Sequence, residues 1–176
     1  MPFTTLPPAG AKLPASTLFS AINELRPVEG RKTSNETRTS TAVEASDAQV
    51  RVALPANTEW ELALLLLVNS AANAAGDFSF HLEAPAGASL QIGAHGLDPA
   101  LPSGTIASLT ARASTTTPTA SFAIGTSTTA TSILAFARVT MGATAGDVIL
   151  FWAQQTSNVN ATSLLSGSRI IARRLS

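Results

Sequence analysis

The sequence contains no cysteine and no tyrosine. Without cysteine, a disulfide framework, a thiolate nucleophile and a cysteine-based zinc site are all excluded. Charged residues make up only 12% of the chain, about half of their usual share of ~25%. Eleven basic residues balance eleven acidic ones. Phosphate binding needs clustered positive charge, so we expect no nucleic-acid partner, and a net charge near zero favours association with other protein chains.

Long hydrophobic runs are also missing. The longest, Leu62 to Val68, is far shorter than the ~20 residues that span a bilayer. The first residues, Met1 to Pro8, have neither a basic segment nor an apolar core. We therefore expect no membrane partner and no signal peptide, with synthesis in the cytoplasm.

What the chain does contain, from Thr37 onward, is a pattern of period two that is typical of β-strands. Turn residues such as proline, glycine and asparagine divide it into about ten segments. Ten short strands at this spacing favour an all-β fold, an antiparallel jelly-roll β-sandwich. The predicted strands are Thr37–Ala45, Gln49–Leu54, Glu59–Asn69, Phe78–Ala84, Ser89–Gly93, Thr105–Ala113, Thr119–Gly125, Ser132–Met141, Val148–Gln155 and Ser163–Leu175.

One short motif, alanine-glycine-aspartate, occurs twice between strand-like segments. It stands at Ala75 to Asp77 and again at Ala145 to Asp147. Because each copy joins two strand-like runs through a short turn, the sequence predicts two equivalent β-hairpins. The aspartates are expected to cap the turns, since one carboxylate per turn is too few ligands for calcium.

The first thirty residues differ from the remainder and predict a separate segment. Four of the ten prolines fall between Met1 and Pro14, which indicates an extended arm. A helical stripe follows and ends before Pro27, so one short helix is expected. Its apolar face can dock either on its own β domain or on a neighbouring chain. The predicted division is an arm with a helix over 1–30 and a jelly-roll domain over 31–176, and the anchoring side chains are Phe3, Leu6, Leu18, Phe19, Ile22 and Leu25.

Two predicted strands carry apolar residues on both faces. In the strand from Glu59, Leu65 and Leu67 lie opposite the core-facing leucines. In the strand from Val148, Ile149 and Phe151 lie opposite Leu150 and Trp152. A covering loop or the N-terminal helix would account for this second surface, and so would a contact between subunits. We predict a subunit interface formed by Leu65, Leu67, Ile149 and Phe151.

Reactive constellations are sparse. The two histidines, His81 and His95, do not stand among enough ligands for a metal site. No Gly-x-Ser-x-Gly motif occurs, and Glu59 and Glu61 have no partner that points to glycoside chemistry. We therefore expect no enzyme activity, no catalytic residue, no cofactor and no metal.

Five segments are similar to motifs of a family of tailed-phage virion proteins that is common among phages of actinobacteria. For example, Arg31 to Glu36 resembles the arginine-lysine-threonine-serine-aspartate-glutamine entry to the family's first strand. The last segment also resembles the closing strand of tumour-necrosis-factor-like and C1q-like jelly rolls. The segments, within a match of about Ala9 to Leu175, are Ala11 to Pro27, Arg31 to Glu36, Pro55 to Leu62, Ala145 to Ser157 and Ser166 to Ile170.

The resemblance implies a structural protein of the virion surface. It implies a homotrimeric capsid decoration or head-fibre protein that binds the major capsid protein through its N-terminal arm. The short N-terminal segment leaves no room for a long fibre shaft, which favours a compact knob on the capsid. The alternative is a minor tail protein, or a tail-fibre module that recognises the host surface and contacts other tail proteins.

Overall fold

The computed structural model describes residues 26–71, 77–98, 112–114 and 119–175. Within these ranges the chain forms twelve β-strands. They are β1 (Val28–Arg31), β2 (Glu36–Arg38), β3 (Ala45–Leu54), β4 (Glu59–Ser70), β5 (Phe78–Glu83), β6 (Ser89–His95), β7 (Arg112–Ser114), β8 (Phe122–Ile124), β9 (Thr131–Thr140), β10 (Gly146–Gln154), β11 (Thr162–Leu164) and β12 (Arg169–Arg174).

The eight strands from β3 to β10 are paired as one long hairpin wound around a core. β3 pairs with β10, β4 with β9, β5 with β8 and β6 with β7, all antiparallel. Pairs between β5 and β10 and between β6 and β9 then join these into two sheets. The resulting orders, β3-β10-β5-β8 and β4-β9-β6-β7, are those of a jelly roll. The predicted fold class is confirmed.

Four further strands widen one sheet of the sandwich. β12 pairs with β4 and with β1, and β11 pairs with β4 and with β2. Among the described residues, the sheet that contains β4 and β9 therefore has eight strands, and the other has four. We call them the large sheet and the small sheet.

The core lies between the two sheets and follows the strict alternation of their strands. On β4, Trp60, Leu62, Leu64, Leu66 and Val68 are buried, as the period of two predicts. β10 contributes Trp152, whose ring stacks on Phe78 with centroids 5.4 Å apart. These residues belong to one continuous hydrophobic cluster that reaches both sheets.

The two predicted hairpins are wrong, although their strands are right. β4 and β5 lie in different sheets, and so do β9 and β10. The two strands that flank each alanine-glycine-aspartate motif in the sequence therefore do not form a hairpin with each other. The strands of the first segment pair with those of the second, β4 with β9 and β5 with β10. The sequence pattern is the same whether consecutive strands pair with each other or lie in opposite sheets. Placing them in opposite sheets lets the apolar faces of both strands be buried against each other in the core.

The predicted last strand, Ser163–Leu175, is interrupted. The structure has β11 and β12 with a turn between them, and Gly167 adopts a φ of 90°. Such a left-handed conformation ends regular strand geometry and suits glycine because it has no Cβ. Ser166 to Ser168 thus form a turn rather than part of a strand.

The predicted arm, the short helix and all six predicted anchoring residues lie outside the described residues. The described part of the predicted 1–30 segment includes β1, whose residues pair with β12 from Val28↔Ala172 to Arg31↔Arg169.

Candidate assembly surface

The outer face of the large sheet is apolar at its centre. β9 alternates buried and exposed residues along its length. This alternation turns Leu134 and Phe136 outward, and they are 46% and 54% exposed. Both are large hydrophobic residues on neighbouring outward positions of one strand, so they form the start of a continuous surface.

The register brings further apolar side chains beside them. Leu65 lies opposite Leu134, and Ala63 lies opposite Phe136. Directly opposed residues in an antiparallel pair have Cβ atoms about 4.5–5.5 Å apart, so these side chains are close neighbours. On β6, the residue opposite Phe136 is a glycine, Gly93, which offers no side chain to cover the ring. We name this surface the apolar patch; its residues are Ala63, Leu65, Leu67, Leu134, Phe136 and Ile171.

Charged residues border the apolar patch. On β9, two positions beyond Phe136, Arg138 forms an ion pair with Glu59 of β4. The hydrogen bond from Arg138 and its positive charge hold the pKa of Glu59 below its ordinary value, although desolvation acts in the opposite direction. Arg173 lies opposite Glu61 on the next strand pair. Both signs of charge are therefore present at this border, as in the polar rims of protein interfaces.

The outer face of the small sheet is different in character. Ile149 lies between Glu83 and Arg51 on the neighbouring strands. Phe151 lies opposite His81, and the two rings stack with centroids 5.0 Å apart. The apolar residues of this face are therefore interleaved with polar and charged ones.

A hydrogen-bonded cluster covers part of that face. Glu44, in the segment between β2 and β3, accepts hydrogen bonds from Ser79 and Ser121 and also contacts His81. The second ring nitrogen of His81 lies 3.3 Å from Glu83. The His81 side chain is only 13% exposed, so these contacts shield it from solvent.

The two acid–base groups of this cluster shift each other. Burial lowers the pKa of His81, but the hydrogen bonds and negative charges of Glu44 and Glu83 outweigh it and raise that pKa above its ordinary value. Burial raises the pKa of Glu44, and the hydrogen bonds from His81, Ser79 and Ser121 lower it further than burial raises it. Both shifts favour a charged pair, which fastens the segment before β3 onto the small sheet.

The four predicted interface residues fall on two separate surfaces. Leu65 and Leu67 belong to the large sheet, while Ile149 and Phe151 belong to the small sheet. All four are half-buried. The two most exposed members of the apolar patch, Leu134 and Phe136, were not singled out from the sequence. Their signal was present, because both fall on one face of a segment whose other face is also apolar.

Within the described ranges, no three side chains of histidine, cysteine, aspartate or glutamate are grouped so that they could hold a metal ion. No helix in this part of the chain is long and apolar enough to cross a membrane. A small polar depression of about 190 Å³ adjoins the border of the apolar patch and is lined by Glu59, Ser89, Gln91, Arg138 and Thr140.

Neither a family model nor a curated protein matches the sequence. Among solved structures, the chain is similar to a structure of infectious bursal disease virus, Gx strain, at 13% identity and a TM-score of 0.22, over 84% of this chain and 38% of that one. It is also similar to the crystal structure of the VP2 subviral particle of that virus, at 10% identity and a TM-score of 0.21, over 86% of this chain and 40% of that one. The chain spans about two fifths of the length of these structures. Since both TM-scores are low, the fold assignment rests on the strand pairings alone.

Proposed function

We propose that this protein is a structural component of a tailed-phage virion, a capsid decoration or head-fibre protein that assembles as a homotrimer on the capsid surface. The apolar patch on the large sheet is the observation that carries this proposal. Monomeric soluble proteins seldom expose a continuous apolar surface of this kind, and a subunit contact would bury it. The sequence segments that resemble phage virion proteins support a location of this assembly on a phage virion.

The subunit contact is assigned to the large sheet. Its apolar patch has neighbouring leucine and phenylalanine side chains and a border with both signs of charge. In a homotrimer, that surface on one copy would pack against a neighbouring copy. The predicted interface residues Leu65 and Leu67 belong to this contact. Ile149 and Phe151, on the small sheet, would face outward or contact another protein.

Attachment to the major capsid protein is assigned to the N-terminal arm. Burial of its six anchoring side chains, at about 1.5–3 kcal/mol each, offers roughly 9–18 kcal/mol before the cost of ordering the arm. Three arms in one trimer would strengthen attachment further through their high effective concentration. The role needs no catalytic chemistry, no cofactor and no nucleic acid.

The arm is tested by deleting residues 1–27, which leaves β1 intact because it begins at Val28. We expect a folded trimer that no longer joins capsids lacking the wild-type protein. A deletion variant that binds capsids at full occupancy would show that attachment lies elsewhere.

The position on the virion is tested by labelling this protein in purified particles and imaging them. Many copies spread over the head support a decoration or head-fibre role. A few copies confined to the tail support the alternative, a minor tail protein or a module that recognises the host surface.

A further inference from the structure

A buried lysine and a buried aspartate meet between the two sheets. Lys32, directly after β1, is 3% exposed, and Asp47 on β3 is 0% exposed. Charged residues are almost never buried to this degree unless they are paired. Both side chains can be buried because they pair with each other.

The side-chain amine of Lys32 is held against the carboxylate of Asp47. Its Nζ lies 2.5 Å from Oδ2 of Asp47 and 2.8 Å from Oε2 of Glu36. The backbone of Lys32 is fixed by hydrogen bonds with Gly167 and Ser168, in the turn before β12. Holding the two groups together in this way removes the entropic cost of bringing them into contact, which favours a reaction between them.

The other carboxylate oxygen of Asp47 is held by two backbone donors. The N–H groups of Gln49 and Val50 each donate to Oδ1 at 2.8 Å. Two fixed N–H groups that converge on one oxygen stabilise the negative charge that develops there during attack on a carbonyl carbon. The Lys32 amine therefore lies beside one oxygen of the Asp47 carboxylate, and two backbone N–H groups hold the other oxygen.

Glu36 is positioned to move a proton. Its Oε1 accepts a hydrogen bond of 2.7 Å from Arg38, which leaves Oε2 directed at Lys32. The Arg38 guanidinium in turn lies 4.0 Å from the centre of the fully buried Trp152 ring. The aromatic ring keeps water from this side of the cluster, while Glu36 itself is 34% exposed and gives a released water a route to solvent.

We propose that Lys32 and Asp47 become joined by an isopeptide bond that the folded protein forms itself. Nζ of Lys32 attacks Cγ of Asp47, and Oδ1 carries the charge of the tetrahedral intermediate. Glu36 takes one proton from Nζ and passes it to the departing Oδ2, and the second proton passes directly from Nζ to Oδ2 along their hydrogen bond. Starting from the ammonium and the carboxylate, Nζ gives up two protons and keeps one, and Oδ2 leaves as water. The products are one neutral amide and one water molecule, so no oxidant or co-reactant is required.

The electrostatics of the pair define the starting state of the reaction. Burial raises the pKa of Asp47, but the hydrogen bonds from Lys32, Val50 and Gln49 outweigh it and hold that pKa below its ordinary value. The starting state is therefore a buried ion pair whose carboxylate is held by three hydrogen bonds, so a proton must leave Nζ before that atom can attack. Condensation replaces both buried charges with a neutral amide and releases a water molecule to solvent.

The bond would join the two sheets covalently. β1 belongs to the large sheet through its pairing with β12, and β3 belongs to the small sheet through its pairing with β10. A covalent link between them would prevent the sandwich from opening at this edge. This inference depends on the Lys32 cluster alone and not on the proposed virion role.

The deciding experiment is the intact mass of the purified, folded full-length protein. The expected mass is about 18 Da below that of the sequence, the mass of one water molecule. A folded protein that keeps the full sequence mass after prolonged incubation near neutral pH overturns the proposal.

Trypsin digestion then locates the loss. Because an acylated Lys32 resists cleavage, the expected product is a branched species that joins residues 32–38 to residues 39–51. Cleavage after Lys32, with the mass loss confined to residues 39–51 as a cyclised aspartate, contradicts the proposal.

Three substitutions separate condensation from folding. Asp47→Asn is expected to lose ammonia, about 17 Da, and to reach the same final mass as the wild-type product. Lys32→Arg keeps the positive charge and is expected to keep its full mass. Glu36→Gln is expected to slow condensation roughly a hundredfold, as the loss of a general acid–base group does. An Asp47→Asn protein that keeps its own full mass would oppose the proposal, and the wild-type mass decides it even if a variant fails to fold.

Discussion

Replacing the two most exposed residues of the apolar patch tests the proposed subunit contact. Leu134 and Phe136 are 46% and 54% exposed. Full burial of such a side chain contributes about 1.5–3 kcal/mol, so burial of the remaining half contributes about 1 kcal/mol for each residue. The double variant Leu134→Gln/Phe136→Gln should therefore weaken association by about 2 kcal/mol per subunit, which is roughly a thirtyfold change in the equilibrium constant for each contact.

The assay is sedimentation equilibrium of the full-length protein over a wide concentration range. For a trimer with three such contacts, the loss amounts to about 6 kcal/mol, or roughly 10⁴-fold in the overall association constant. The free energy of unfolding of the single chain should change by about 1 kcal/mol or less, because the side chains point away from the core. The matched control is Val43→Gln/Val159→Gln, since these valines are 79% and 83% exposed outside the patch.

Two results would refute this reasoning. If the patch variant and the valine control associate equally well, the patch is not a subunit contact. If association is unchanged while the free energy of unfolding falls by about 2 kcal/mol, the patch is covered by the same chain, as the alternative docking of the N-terminal helix would require.

Three further predictions concern the fold itself. Leu64→Ala should lower the free energy of unfolding by about 2–5 kcal/mol in urea titrations, and Leu65→Ala, on the opposite face of β4, should lower it by less than half as much. The pKa of His81 is raised above 6.5 by Glu44 and Glu83, so its stabilising charge is fully present below pH 6.5 and is lost as the pH rises through the raised value. Thermal unfolding at a series of pH values measures this loss of stability, and His81→Gln should remove it. A variant with the same pH profile as wild type would contradict the pairing. Burial raises the pKa of Asp77 more than the hydrogen bonds from Thr126 lower it. Ionisation of Asp77 therefore costs stability as the pH rises through that pKa. The Asp77→Asn variant should melt at a higher temperature than wild type at neutral pH, but not below pH 3.8.

The sequence predicted the strands better than their partners. The alternation from Trp60 to Val68 predicts both the length of β4 and its buried face, because burial on one side of a sheet imposes a period of two. The same alternation does not reveal whether β4 turns back onto β5 or crosses the sandwich. That choice depends on which distant strand offers a matching face, and here β9 does, with ten residue pairs from Glu59↔Thr140 to Val68↔Thr131.

The polar clusters could not be predicted for a related reason. Lys32 and Asp47 are fifteen residues apart, and Glu44 and His81 are thirty-seven apart. Each pair depends on the segments between β1 and β3 folding over the ends of two sheets. No local pattern of residue types marks such a meeting. The exposed pair Leu134 and Phe136 could have been found, since a strand with apolar residues on both faces requires a second covering surface.

Several of the few charged residues lie inside the protein, where they stabilise the sandwich, rather than on its surface. Lys32 and Asp47 lie in the interior, and Arg38 lies over the buried Trp152 ring. These groups fill the space where the segment between β1 and β3 joins the two sheets, so they stabilise the edge of the sandwich. The centre of the outer face of the large sheet keeps apolar residues, and charged residues such as Arg169, opposite Leu65, lie beside them. A sandwich that used its charges for solubility would carry them on that face, and this one leaves it suited to contact with another protein surface.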